Sequence, residues 1–183
     1  MQWTIPGTTL TGERENADRT EEMYQSMFLA GGLTLSQVAS ITGLEPYTVQ
    51  NWVKRGFLSA PQRKRYNLNQ LCRILNINML KNCLPMEKIC GLLSYVNGNL
   101  NDISDDMIKD TDLYFIFVRI AARIGKAANP EQRDAMVEEF LSAYNEPAPG
   151  AKERVAKVLS IMLTAWASSQ LKLHAEQMLE QLD

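Results

Sequence analysis

The sequence predicts an all-α protein in which a small helical head is followed by a C-terminal helical bundle. Three observations favour this fold class. Apolar residues recur at intervals of three and four positions through most of the chain. Capping residues stand before many of these segments, and glycine or proline follows them. No alternating strand pattern is found except in the short basic segment 61–66, which suits a small two-stranded hairpin.

The length and composition of the chain allow it to bury a hydrophobic core without disulfide bonds. It has 183 residues, of which 45% are hydrophobic, and three cysteines with a single histidine. The most apolar segment, Val158–Ala167, is shorter than the about 20 residues that a membrane-spanning helix needs. No charged segment followed by an apolar stretch opens the chain, so no secretory signal is expected. These features predict a cytoplasmic protein with reduced thiols and no membrane partner.

Charge is distributed unevenly along the chain. Residues 33–91 carry eight basic and two acidic side chains, a net charge of +6. The rest of the chain carries 11 basic and 19 acidic side chains, a net charge of −8. This asymmetry favours a part that binds a polyanion, joined to a part with another role.

Residues 1–33 are predicted to be a loose lead followed by one helix. Met1–Arg19 is polar and contains a proline and two glycines. Thr20–Ala30 has two methionines and Ala30 on one face, with Tyr24 beside them, which is typical of an amphipathic helix. Two glycines then end that helix.

Residues 34–98 are predicted to form a head of four short helices. Two of these helices begin with a capping box, in which a polar side chain and a glutamine three residues later satisfy each other's backbone donors. The residues that mark the boundaries are Thr34, Gln37 and Gly43 for the first helix, Pro46 and Gly56 for the second, Asn67 and Gln70 for the third, and Pro85, Asn97 and Gly98 for the fourth.

Residues 99–183 are predicted to form a helical region for dimerisation or for binding a small-molecule effector. The polar segment Asn99–Asp110 separates it from the head, and prolines separate three helical patterns within it. These patterns are Asp112–Ala128, Pro130–Asn145 and Ala151–Leu182. Five large side chains either line an effector pocket or belong to the core, and both interpretations stay open: Tyr114, Phe115, Phe117, Met162 and Trp166.

The first two head helices, joined by a tight turn with a glycine, form the pattern of a helix-turn-helix. On the second helix the apolar residues fall on one face, which leaves a polar face for a partner. Gln50 and Asn51 on that face have the amide groups that pair with adenine edges, and Thr48 can contact a thymine methyl group. Lys54 and Arg55 lie where phosphates would run.

The basic segment 61–66 strengthens this interpretation. It contains Arg63, Lys64 and Arg65 in succession, and neighbouring like charges in a short loop favour a polyanion as partner. Tyr66, at its end, has two roles open. It either donates to a phosphate or anchors the segment to the third helix.

Together these residues resemble the MerR-type winged helix-turn-helix over residues 34–97. With the helix before the head, the chain is similar to an uncharacterised bacterial family that has a MerR-like head and a helical C-terminal region. The resemblance implies that Thr48, Gln50 and the basic residues of the wing contact phosphates. The residues that carry it are the runs Thr34–Leu44 and Thr48–Leu58, then Pro61, Arg65 and Tyr66, and then Leu71, Ile74, Ile77, Leu80 and Ile89.

Three departures limit what the resemblance implies. The wing is shorter and more basic than the family's, which carries Gly-Tyr-Arg before the final tyrosine. Gln50 stands where an arginine is common in the recognition helix, and Asn97-Gly98 stops the fourth helix where a long dimerising helix usually follows. The dimer geometry of the family and its mechanism of DNA distortion are therefore not carried over.

The sequence predicts a dimeric, sequence-specific DNA-binding transcriptional regulator with its recognition helix at 46–55 and its wing at 61–66. The expected partners are double-stranded DNA and a second copy of the chain. No cofactor, metal ligand or catalytic residue is predicted. The predicted DNA-contacting residues are Ser36, Tyr47, Thr48, Gln50, Asn51, Lys54, Arg55, Arg63, Lys64, Arg65 and Tyr66.

Three other functions are considered. An enzyme is disfavoured because no phosphate-binding loop, dinucleotide fingerprint or nucleophile elbow is found. A metal or redox sensor is disfavoured because Cys72, Cys83 and Cys90 fall at largely apolar positions. A protein-interaction scaffold that has kept the helix-turn-helix without DNA binding is the main alternative, although the run of basic residues at 63–65 argues against it.

Overall fold

The computed structural model describes residues 1–124 and 129–182, and it is mostly helical with one small sheet. Residues 125–128, the end of the predicted helix Asp112–Ala128, and residue 183 lie outside the described residues. The elements are β1 (Gln2–Thr4), β2 (Thr11–Glu13), α1 (Thr20–Met27), α2 (Leu35–Thr42), α3 (Pro46–Lys54), α4 (Leu68–Leu80), α5 (Met86–Asn97), α6 (Asp110–Ile124), α7 (Pro130–Phe140) and α8 (Ala151–Leu179), with 3₁₀ turns at Arg14–Arg19 and Ile103–Asp105. None of the described helices has the length and apolar character that crossing a membrane requires.

The N-terminal segment is ordered, so the prediction of a loose lead over Met1–Arg19 is wrong. β1 and β2 pair antiparallel, and the loop between them is tied to the helices. The Tyr114 hydroxyl donates to the Pro6 carbonyl over 2.8 Å, and the Asn78 amide donates to the Gly7 carbonyl, also over 2.8 Å. Trp3 is buried beneath this hairpin. Hydrogen bonds from distant helices therefore order a segment whose local sequence is polar.

Helix α1 is present, but its buried face differs from the predicted one. The helix ends at Met27, and Ala30, which was expected on the inner face, is exposed. Tyr24 is instead the buried centre, and its ring lies edge-on to the rings of Tyr114 and Phe115. The aromatic ring buries more apolar surface than a methionine side chain and sets the rotation of the helix.

The helix boundaries of the head follow the capping residues in the sequence. Thr34 accepts from the Gln37 backbone over 3.3 Å while the Gln37 side chain accepts from the Thr34 backbone, as a capping box requires. Asn67 and Gln70 form the same arrangement at the start of α4. α5 begins after Pro85, also as predicted.

Helix α4 is the centre of the core. Ten of its 13 residues are buried, and α6 packs along it. A single hydrophobic cluster takes in the N-terminal hairpin, the head and the C-terminal helices. The five large side chains with two open roles all lie in this cluster, from Tyr114, Phe117 and Met162 at 0% exposure to Trp166 at 6%. Their interpretation as core residues is therefore confirmed, and a small-molecule effector on the C-terminal helices stays a prediction.

A buried polar network joins α4 to the start of α6. Arg73 and Asp110 are almost completely buried, with a guanidinium nitrogen 3.6 Å from the carboxylate. The Asn76 amide donates to the same carboxylate over 3.4 Å, and Arg73 also donates to the Asn97 side chain over 3.4 Å. Because an unpaired buried charge is costly, the position of α6 on α4 depends on this network.

Asp106, just before α6, lies near the network and forms no ion pair within the described residues. Burial raises the pKa of Asp106 to about 6, and the carboxylates of Asp110 and Asp105 add to the increase. The folded state therefore holds this proton more tightly than the unfolded state does. The contribution of this carboxyl group to the free energy of unfolding is present at low pH and is lost as the pH rises from about 4 to about 6.

Asp106→Asn is accordingly expected to raise the free energy of unfolding at pH 7 by about 1 kcal/mol and to change it little at pH 4. The asparagine resembles the protonated acid and carries no charge to desolvate, and the partial exposure of the site reduces the effect. Urea denaturation of both proteins between pH 4 and pH 7 measures the difference. An equal change in the free energy of unfolding at both pH values would contradict the raised pKa.

Candidate functional site

Helices α2 and α3 meet through a tight turn that the local sequence dictates. Gly43 has a φ of +69°, a conformation that costs glycine little, and its N–H donates to the Ala39 carbonyl. The Thr42 hydroxyl donates to the Val38 carbonyl over 2.8 Å and accepts from the Leu44 backbone over 3.2 Å. This turn redirects the chain within three residues and fixes α3 against α2.

One face of α3 is buried and the other is open to solvent. Val49 and Trp52 are buried in the core, in agreement with the sequence analysis. Tyr47 is 70% exposed, and Thr48 is half-buried. The other polar residues of the predicted set on this helix are exposed: Gln50, Asn51 and Lys54. Ser36 on α2 is exposed as well. The structure therefore gives α3 a polar outer face with amide, hydroxyl and ammonium groups.

Arg55, predicted to contact phosphate, already has two partners. Its guanidinium lies 3.2 Å from the Glu87 carboxylate of α5 and 4.5 Å from the centre of the Phe57 ring. Both charges are largely exposed, so the ion pair contributes little to stability. An anion that binds Arg55 competes with Glu87, a competition that is not visible in the sequence because Glu87 is 32 residues away.

Segment 61–66 folds into a tight turn with Arg63 and Lys64 at its tip. These two residues have φ values of +48° and +63°, the left-handed conformation that residues other than glycine adopt infrequently. Gln62 pairs with Arg65, and the Arg65 N–H donates to the Gln62 carbonyl over 2.8 Å. Two consecutive positive φ angles are typical of the two-residue turns of hairpins, where asparagine and glycine are preferred. The two-stranded sheet of the protein is nevertheless at the N-terminus, since this segment makes only isolated bridges.

The side chains at this tip are presented to solvent. Arg63 and Lys64 are exposed, and no ion pair of either is found within residues 1–124 and 129–182. Arg65 is exposed too, but it donates to the Gly32 carbonyl over 2.9 Å. Two positive charges are thus held side by side at the tip of the turn. Their left-handed backbone conformations are ones that asparagine and glycine adopt more readily than arginine and lysine.

Tyr66 anchors the segment, one of the two roles left open for it, and its contact with a phosphate stays a prediction. Its side chain is buried, burial raises the pKa of its hydroxyl, and its backbone exchanges two hydrogen bonds with Leu33 over 2.8 and 2.9 Å. On the other side, the Gln70 amide donates to the carbonyls of Ser59 and Ala60. The base of the turn is therefore held at both ends.

Gly32 is a residue whose role the sequence analysis missed. Its φ is +95°, and a Cβ atom there would lie 2.9 Å from the Tyr66 carbonyl oxygen. Only glycine therefore lets the chain pass close enough for the Leu33–Tyr66 pairing. The signal in the sequence was the Gly31-Gly32 pair, which the sequence analysis assigned to the end of the preceding helix.

The net charge of +6 over residues 33–91 overstates the charge at the surface. Arg73 is one of the eight basic residues, and it is 2% exposed and paired with Asp110. The remaining basic residues of this range are exposed, and Arg55 is paired with Glu87, so the unpaired basic surface consists of Lys54, Arg63, Lys64, Arg65, Lys81 and Lys88.

The three cysteines are distributed through the core and its edge. Cys72 is fully buried, and burial raises the pKa of its thiol well above the ordinary value. Cys83 and Cys90 are partly buried, and burial raises the pKa of the Cys90 thiol as well. A raised pKa keeps a thiol protonated, which makes it a poor nucleophile and a poor metal ligand.

Comparisons with known proteins show what parts of this chain are similar to, and none of the matching descriptions names an activity. Residues 31–117 match the model of a family described as a domain of unknown function, DUF1836. The chain is also 25% identical over 116 residues to YkrK of Bacillus subtilis (strain 168), which is described as an uncharacterized protein. That similarity covers 61% of this chain and 50% of YkrK, so the chain spans about half the length of the curated relative that it matches. No solved structure matches the chain.

Proposed function

We propose that the protein is a sequence-specific DNA-binding transcriptional regulator that acts as a homodimer. In this proposal α2 and α3 are a helix-turn-helix, and segment 61–66 is a short wing. α3 enters the major groove, where Gln50 and Asn51 pair with base edges, while Lys54 contacts the phosphates beside them.

The pair Arg63–Lys64 is the observation that carries the proposal. Both residues stand at a turn tip, exposed and without an ion-pair partner in the described part of the chain. Their positive φ angles cost of order 1–3 kcal/mol each, which a turn that served only to connect two segments would avoid. Two adjacent cations held at the tip strengthen the binding of a polyanion, and this gain in binding offsets the conformational cost of the turn.

The sharpest variant keeps the turn and removes its charges. Arg63→Asn with Lys64→Gly introduces the residue pair that this turn prefers, so the fold is retained or slightly stabilised. Binding to genomic DNA fragments is expected to weaken for all sequences alike. The slope of log affinity against log salt is expected to become shallower by about 2, one for each lost phosphate contact. Fluorescence anisotropy between about 50 and 300 mM salt measures both quantities.

Two further variants of the protein serve as comparisons in the same titration. Lys157→Ala removes one positive charge from α8, far along the chain, and is expected to leave the slope unchanged. Asn51→Ala should leave the slope unchanged as well but relax the preference at one base pair, at a cost of about 1–3 kcal/mol on the best site. If the wild-type protein shows no salt-sensitive DNA binding, the proposal is wrong, and the scaffold alternative takes its place.

A further inference from the structure

An open groove lies between segment 61–66, the first turn of α4 and the two glycines that follow α1. Its volume is about 830 Å³, which is within the range of sites that hold small organic molecules. We call it the Arg65 groove, and the side chains that matter for its chemistry are those of Phe28, Arg63 and Arg65. Lys64, the other cation at the tip of the turn, does not line it.

The positive charge of the Arg65 groove is not compensated by the protein. Two guanidinium groups line the groove, and no carboxylate does so among the described residues. Arg63 forms no ion pair in the part of the chain that the structure describes. The Arg65 side chain bonds to a neutral group, the Gly32 carbonyl, over 2.9 Å. A groove with two cations and no anion of its own favours a ligand that brings the negative charge.

Backbone contacts hold Arg65 in place without a ligand. Its hydrogen bond to Gly32 leaves most of the N–H donors of the guanidinium free. The two sides of the groove approach closely, since a Cβ atom on Gly32 would lie 2.9 Å from the Tyr66 carbonyl oxygen and 3.3 Å from the Arg65 Cβ. The paired backbones of Leu33 and Tyr66 fix this spacing. A guanidinium that is already positioned lowers the entropic cost of binding.

We propose that the Arg65 groove binds a small organic molecule that carries a phosphate monoester. A guanidinium donates two parallel N–H groups to phosphate oxygens. The monoester carries a charge of about −1.5 to −2 at neutral pH, which matches the two cations Arg63 and Arg65, whereas a carboxylate brings a single charge. Phe28 gives the groove a half-buried aromatic ring, against which the organic part of the ligand packs.

The turn tip and the groove share one residue. Arg63 stands at the tip beside Lys64 and also lines the groove. A phosphate bound in the groove therefore neutralises a charge that the tip otherwise offers to DNA, and the ligand is expected to weaken DNA binding. Only this consequence rests on the proposed function, since the charge and shape of the groove do not depend on it.

Titration of the full chain with two probes, inorganic phosphate and adenosine monophosphate, tests the groove without DNA. At constant ionic strength, adenosine monophosphate is expected to bind with a dissociation constant of about 1 mM or tighter. The largest changes in amide NMR shifts are expected at Gly31 and Gly32, which line the groove. Adenosine, which lacks the phosphate, is expected not to bind in the same range.

Two arginine variants test the proposed contacts. Arg65→Met keeps most of the length of the side chain and is expected to weaken the binding of both probes on the order of 10-fold or more, because a charged donor is lost. Arg63→Met is expected to have the same effect. It leaves the contact of Arg65 with Gly32 in place, so the test holds if Arg65→Met does not fold. Thermal unfolding shows which variants are folded.

Lys64→Gln is the matched control. It removes a positive charge from the same turn at a residue that does not line the groove, so the binding of either probe is expected to change by less than about twofold. Phe28→Leu keeps an apolar side chain but removes the ring. It is expected to weaken the binding of adenosine monophosphate and to leave that of inorganic phosphate unchanged.

Two results would overturn the groove. The first is equal weakening by Lys64→Gln and by the arginine variants, which would mean that the probes are attracted by the charge of the tip in general. The second is a wild-type protein that binds neither probe at concentrations up to about 10 mM.

The two proposals can fail separately. A protein that binds adenosine monophosphate through Arg65 but shows no salt-sensitive DNA binding keeps the groove and loses the proposed function. A protein that binds DNA in a salt-sensitive way but binds neither probe keeps the proposed function and loses the groove. If both hold, saturating adenosine monophosphate is expected to weaken DNA binding by the wild-type protein but not by Arg65→Met.

Discussion

Replacing Asp110 with alanine is expected to lower the free energy of unfolding by about 3–5 kcal/mol. The change leaves the Arg73 guanidinium, 2% exposed, without its carboxylate partner in the core. The Asn76 amide loses an acceptor at the same time. Burial raises the pKa of Asp110, and the neighbouring Arg73 guanidinium opposes that rise. Each group therefore stabilises the charged form of the other in the interior.

The matched control removes both charges together. Arg73→Met with Asp110→Leu leaves no uncompensated ion, and replacing a buried pair by apolar side chains is often close to neutral. The double variant is therefore expected to be more stable than Asp110→Ala. Urea denaturation followed by circular dichroism measures the three free energies of unfolding. A double variant less stable than the single one would mean that the shape of the network, rather than its charge balance, stabilises the α4–α6 contact.

Replacing Phe117 with alanine is expected to lower the free energy of unfolding by a similar amount, about 3–5 kcal/mol. Phe117 is completely buried on α6, and its ring lies edge-on to Trp166 of α8 with the ring centres 5.9 Å apart. Alanine at this position leaves a cavity between two helices that are far apart in the sequence. The same urea titration measures the loss.

Two comparisons show whether the loss comes from the cavity. Phe117→Leu fills most of the space and is expected to cost less than the alanine variant. Tyr47→Ala removes another large aromatic ring, but Tyr47 is 70% exposed, so a change within about 0.5 kcal/mol is expected. If Phe117→Ala costs no more than Tyr47→Ala, the packing between α6 and α8 is not as tight as the structure indicates.

The parts of the fold that were predictable from sequence are those set by neighbouring residues. The capping boxes at Thr34 and Asn67 and the left-handed glycine at position 43 determine the boundaries of α2, α3 and α4 within a few residues of chain. The outward face of α3 follows from the positions of Val49 and Trp52 in the same way. These features need no knowledge of the rest of the molecule.

The parts that were not predictable depend on distant partners. Arg73 counts as a surface charge in the sequence because its carboxylate lies 37 positions further on, in a different helix. Two other pairs lie close in space but are separated by a similar number of positions in the sequence. They are Arg55 with Glu87 and Gly32 with Tyr66. For the candidate site, the sequence therefore identified the exposed residues of α3 and the turn tip but not the contacts that restrain Arg55, Arg65 and Tyr66.

The N-terminal hairpin also has a consequence for the order in which the protein folds during synthesis. Its two anchors, the Asn78 amide on Gly7 and the Tyr114 hydroxyl on Pro6, lie 71 and 108 positions later in the chain. The hairpin is made before both anchors and has no completed binding surface until α4 and most of α6 have left the ribosome. At about 5–20 residues per second, Trp3 and its neighbours wait several seconds for that surface. The hairpin therefore reaches its native contacts well after its own synthesis.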